Sequence, residues 1–144
     1  MQKKLTKLQS FNAVARLLQR YFDHKPSSDL ATVLTNMSFL KNKHMIDSIM
    51  WEIWLKSLSQ VIKIQTYKKV TIEQAFIAMG LYLEDFLGTE DIENDMIFLQ
   101  YNIRNFSKNK LVDPVLFKEW QECVREVLAV KDSRAYFYIS PKKQ

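Results

Sequence analysis

Two stretches decide how this chain is read: TKLQSFNAVARLLQRYF at residues 6–22 and TIEQAFIAMGLYLEDFL at residues 71–87. Laid on each other they match at Thr6 and Thr71, Gln9 and Gln74, Phe11 and Phe76, Ala13 and Ala78, and Leu18 and Leu83. One inserted residue later the correspondence continues through Asp29/Asp95, Asn36/Asn102, Asp47/Asp113, Trp54/Trp120 and Val61/Val127. Pairs such as Leu30/Met96, Val33/Leu99, Met50/Leu116 and Trp51/Phe117 keep apolar character without identity. Self-similarity at a fixed offset marks a unit built twice, so the expected fold contains two copies of one element.

Each copy carries three helix signals in the same order. The first helix opens at Thr6 or Thr71 with Gln three residues on, the spacing of a capping box, in which side chain and backbone satisfy each other's free N–H groups. Apolar residues follow at helical intervals: Leu8, Phe11, Ala15, Leu18 and Phe22 in one copy, Phe76, Met79, Gly80, Leu83 and Leu87 in the other. These read as narrow stripes facing one way. The second helix opens at Ser28-Asp29 or Asn94-Asp95, where a hydroxyl or carboxylate suits the positive end of the helix dipole. It stops before KNKH (41–44) or SKNK (107–110). The third begins at Asp47 or Asp113, and Pro114 sits where its missing N–H costs nothing. The prediction is an all-α protein of six helices in one compact domain, with a repeat unit over 5–62, a linker over 63–69, a second unit over 70–130 and a tail over 131–144. The tail's YFYI (136–139) has strand composition and, with no second strand expected, reads as an extended apolar arm.

Composition supports a soluble globular chain. Its 144 residues are 47% hydrophobic and 26% charged, with only two Gly, which disfavours disorder and turn-rich β folds. The lone Cys123 cannot close an internal disulfide, and neither a secretory h-region nor an 18-residue apolar run is found, so the expected compartment is the cytoplasm.

Charge is uneven. Residues 1–69 hold twelve Lys/Arg against four Asp/Glu, net +8, and residues 70–144 hold nine against twelve, net −3. The acidic excess concentrates in EDFLGTEDIEND (84–95), where Glu84, Asp85, Glu90, Asp91, Glu93 and Asp95 have no Lys or Arg among them. Such a segment can steer a basic partner, and it is the candidate partner-binding site; Asp95, and with it Glu93, can also simply favour the start of a helix. The basic residues of the first copy do not form one dense stripe, and no zinc-finger or RNP pattern accompanies them, so a helical nucleic-acid-binding or regulatory protein is kept as the alternative.

Chemistry is not on display. His24 and His44 fall in expected loops and lack further ligands, so no metal site is expected, and no glycine-rich phosphate loop exists. Cys123 reads as packing, Gly80 as a close helix crossing, Gly88 as a helix stop, and Trp51, Trp54 and Trp120 as core with indole N–H groups seeking partners. No enzyme activity and no cofactor are expected.

The opening helices LQSFNAVARLLQRYF and EQAFIAMGLYLEDF, the short SDL or NDM helix and the closing DPVLFKEW resemble small all-helical bacterial immunity proteins encoded beside polymorphic toxins, including contact-dependent growth inhibition systems. The resemblance runs over residues 5–130, and copy one departs from it with Asp47-Ser48 in place of Asp-Pro. It implies a cytoplasmic protein without chemistry of its own. Such a protein binds the C-terminal toxin domain of a cognate effector, often a nuclease, and blocks its active site or substrate path. The acidic 84–95 segment would then face a basic toxin cleft, while the overall +5 leaves open that the basic half makes the contact.

Overall fold

In the computed structural model the described residues are 4–37, 48–63, 67–88, 94–107 and 114–129. They form β1 (Lys4–Thr6), α1 (Lys7–His24), α2 (Ser28–Met37), α3 (Ser48–Val61), β2 (Lys69–Thr71), α4 (Ile72–Leu87), α5 (Asn94–Ser107) and α6 (Pro114–Leu128). The protein is all-α, with one very small sheet.

Both opening helices start as their sequences dictate. Thr6 Oγ1 accepts from Gln9 N at 3.0 Å while Thr6 N donates to Gln9 Oε1 at 2.8 Å. Thr71 and Gln74 repeat the arrangement at 3.0 and 2.9 Å. A threonine in extended conformation suits both tasks, because it ends a strand and caps a helix. The strands so ended are the feature the sequence left unannounced: β1 pairs antiparallel with β2, Leu5 opposite Val70, and both of those side chains are fully buried. No strand pair was expected, because each is three residues long and gains its ladder partner from far along the chain. The YFYI tail lies outside the described residues.

The narrow stripes expected on the opening helices are not what the packing shows. α1 buries Ser10 to Ala15 without a break, and then Leu17 and Leu18; α4 buries Ala75, Phe76, Ala78, Met79, Gly80, Tyr82 and Leu83. The two helices are central, with neighbours on several sides, and their small residues let those neighbours come close.

Those neighbours cross the linker. α6 lies alongside α1, and α3 lies alongside α4, whereas α2 leans on α1 and α5 on α4. The aromatic residues of the closing helices also reach back. Trp51 meets Phe11 edge-on at 5.4 Å and Phe117 meets Phe76 edge-on at 5.1 Å. Trp54 and Trp120 are both fully buried. The Trp54 indole N–H donates to Ser10 Oγ and that of Trp120 to the Ile72 carbonyl, each at 3.0 Å, so both buried polar atoms are satisfied.

Gly80 is a close crossing: a Cβ there would stand 2.7 Å from Ile103 Cγ2 on α5. Gly88 ends α4 at φ +78°, in the left-handed region that glycine adopts freely. No described helix is long and apolar enough to cross a membrane.

Candidate functional site

The acidic segment divides into parts with different surroundings. Glu84, on the outer face of α4, is partly buried and forms an ion pair with Arg104 of α5. Asp85 is 3.5 Å from Lys56 Nζ on α3. Both carboxylates thus have basic partners that the local sequence could not supply. Glu90, Asp91 and Glu93 lie outside the described residues; Asp95 stands in the first turn of α5, its side chain outside them as well.

The basic residues of α1 are also engaged. Arg20 bridges two carboxylates of α6, with Nη1 at 2.9 Å from Glu122 and Nη2 at 2.6 Å from Glu126, and Arg16 approaches Glu126 at 3.5 Å. The hydrogen bond that Arg20 donates to Glu122 raises the Arg20 pKa further and holds the Glu122 carboxyl below its ordinary range. Arg16 and Arg20 on α1 therefore tie helices together. Lys7 is used in a similar way, its ammonium standing 4.4 Å from the centre of the Tyr67 ring.

Cys123 is fully buried on α6, and burial pushes its thiol up to about 12, which keeps it protonated and poorly nucleophilic. His24 is the exposed last residue of α1 rather than a loop residue; His44 lies outside the described residues. No cluster of three metal-ligating side chains occurs among the described residues.

What the sequence reading missed is an apolar outer face on α5. Met96, Leu99 and Ile103 point into the core, yet Ile97, Phe98 and Tyr101 on the other side are exposed by 48%, 47% and 60%. Spacings of three and four residues put these three on one side of the helix. Phe98 and Val115, the latter 59% exposed on α6, line a half-open cleft of about 840 Å³. Its other walls are the end of α1, with Arg20, Tyr21, Asp23, His24 and Lys25, and Glu119 of α6. An apolar floor rimmed by charges of both signs suits recognition of another macromolecule better than solvation alone. The signal was present in the sequence: NDMIFLQYNI holds more large apolar residues than one helix face can bury.

No family model matches the chain, and no curated protein or solved structure matches it either.

Proposed function

We propose that this chain is a binding protein whose docking surface is the outer face of α5 together with the cleft beside it. The observation that carries this reading is the set Ile97, Phe98 and Tyr101, exposed on a helix that already has a complete inner stripe. Large apolar side chains at solvent cost solubility, and a patch of them beside polar residues is the usual anatomy of an interface.

The resemblance set out above gives the partner a chemistry: a toxin domain with a basic cleft, neutralised by occlusion. The carboxylates of residues 90–95 immediately precede the apolar residues of α5 in the sequence, and their charge suits a basic partner. With Glu84 and Asp85 tied to Arg104 and Lys56, the steering charge of the acidic segment comes from Glu90, Asp91, Glu93 and Asp95.

The test is coexpression with the C-terminal domain of a large secreted effector encoded next to this gene. The expected result is relief of toxicity and a complex that survives size exclusion, with Phe98→Asp and Tyr101→Asp variants losing both. Failure to bind that domain, together with a shift of nucleic acid at moderate salt, overturns the reading in favour of the nucleic-acid alternative.

A further inference from the structure

The two long seams of the molecule, α1 against α6 and α3 against α4, carry the same ion pair with its signs reversed. Two landmarks register the positions. Arg20 lies fourteen residues after the capping Thr6, and Asp85 lies fourteen after the capping Thr71. Glu122 and Lys56 each lie two residues after a fully buried tryptophan, Trp120 and Trp54. At one seam a positive opening helix meets a negative closing helix, Arg20 to Glu122 at 2.9 Å. At the other a negative opening helix meets a positive closing helix, Asp85 to Lys56 at 3.5 Å.

The reversal matters because apolar packing alone distinguishes the closing helices poorly. α3 and α6 offer matching buried sets, Met50, Trp54 and Leu58 against Leu116, Trp120 and Val124, to opening helices with the same phenylalanine anchors, Phe11 and Phe76. A closing helix laid along the opening helix of its own stretch would set Lys56 against Arg20 and Glu122 against Asp85. The same clash arises if residues 4–63 of one chain meet residues 4–63 of a second copy. We propose that these reversed charges select the partner of each closing helix, so that the two stretches of one chain fit each other and neither fits itself. Charge at equivalent positions fixes pairing choice in this way when cores are nearly interchangeable. Glu126, whose counterpart two residues before the end of the matched segment is Gln60, strengthens the α1 to α6 seam through Arg16 and Arg20.

The experiment uses the full chain. Exchanging the opening-helix charges, Arg20→Asp with Asp85→Arg, makes both seams repulsive and makes each stretch complementary to itself. The expected result is a folded-to-unfolded ratio lowered about tenfold, since two attractive contacts become repulsive ones. A dimer fraction that grows with concentration in sedimentation, above that of the unaltered chain, accompanies it. Adding Lys56→Glu, Glu122→Lys and Glu126→Gln restores opposite signs at both seams and is expected to recover stability and abolish the extra dimer. An exchange variant that does not fold, beside a fully inverted variant that does, supports selection equally. Equal losses in the two variants, or a destabilised exchange variant that sediments like the unaltered chain at every concentration, overturn it.

Discussion

Helices α2 and α5 occupy equivalent places, each leaning on the opening helix that precedes it, and the two agree on the inside and differ on the outside. Inside, Leu30, Val33 and Met37 are buried on α2 where Met96, Leu99 and Ile103 are buried on α5. Outside, α2 presents Ala31, Thr32 and Thr35 where α5 presents Ile97, Phe98 and Tyr101. These three pairs are constrained by the helix they rest on and change only among apolar side chains of suitable size, while the buried Leu34 of α2 has the buried polar Gln100 as its counterpart on α5. The outer residues answer to solvent, and α2 shows that small or hydroxyl side chains satisfy the scaffold there. The aromatic and aliphatic bulk on α5 has no counterpart on α2, and this contrast is what supports the proposed docking surface.

The sternest way to break the likeness of the inner faces is to remove the two equivalent tryptophans. Trp54→Ala and Trp120→Ala each delete a fully buried indole, at an expected cost of about 3–5 kcal/mol measured by urea unfolding. If the two stretches carry comparable loads, the two losses fall close together. A much smaller loss for one shows that its stretch depends less on its closing helix.

A second test compares the places where the opening helices are thinnest. Gly80 lies against Ile103, and its counterpart in α1 is Ala15, whose methyl is buried without a clash. Gly80→Ala forces α4 and α5 apart and is expected to destabilise by about 1–3 kcal/mol, an overpacking cost. Ala15→Gly is expected to destabilise by about 1–2 kcal/mol, through helix propensity and the loss of a buried methyl. Each substitution imports the residue found at the other place, and both lose. Ile103→Leu, which lacks the Cγ2 methyl that the new Cβ would meet, relieves part of the Gly80→Ala penalty, and a double-mutant cycle reads this as coupling.

Legibility followed distance along the chain. The capping boxes were legible because Thr6 and Gln9, or Thr71 and Gln74, specify each other within one turn. The buried tryptophans were legible because a helical stripe has one face to offer. The pairing of β1 with β2 was not, since Leu5 and Val70 are ordinary residues until the fold sets them side by side. Nor was the closure of α6 onto α1, whose ion pairs join residues about a hundred positions apart. The acidic segment was conspicuous as a run of letters, yet its first two members turned out to have partners on α5 and α3. The apolar face of α5 was the harder thing to see, because a sequence stripe announces burial and gives no sign when the residues of a second stripe stay exposed.

The ion pair at the α1 to α6 seam makes stability depend on acid. Glu122 is held below the ordinary carboxylate range by Arg20, so its folded form is the poorer proton acceptor. The stability it contributes is fully present above the ordinary glutamate pKa and is lost as pH falls through its lowered value. Glu122→Gln removes that component. The expected outcome is a flatter decline of thermal midpoint on acidification than in the unaltered chain, with the two curves parting most above that range.

The smallest effect on folding carries the most information about function. Giving α5 the outer residues of α2, with Ile97→Ala, Phe98→Thr and Tyr101→Thr, leaves every buried position untouched. Stability is expected to stay within about 0.5 kcal/mol, since surface changes away from caps and networks rarely do more. Partner affinity is expected to fall at least about a hundredfold, as truncating two aromatic anchors at an interface does. The converse graft, Ala31→Ile, Thr32→Phe and Thr35→Tyr on α2, is likewise expected to fold and to gain no affinity, because the cleft formed with Val115 and the end of α1 has no part in it. If the α5 variant binds as tightly as the unaltered chain, the docking surface lies elsewhere. If it instead unfolds, the face belongs to the scaffold, and the contrast between the two helices concerns stability rather than recognition.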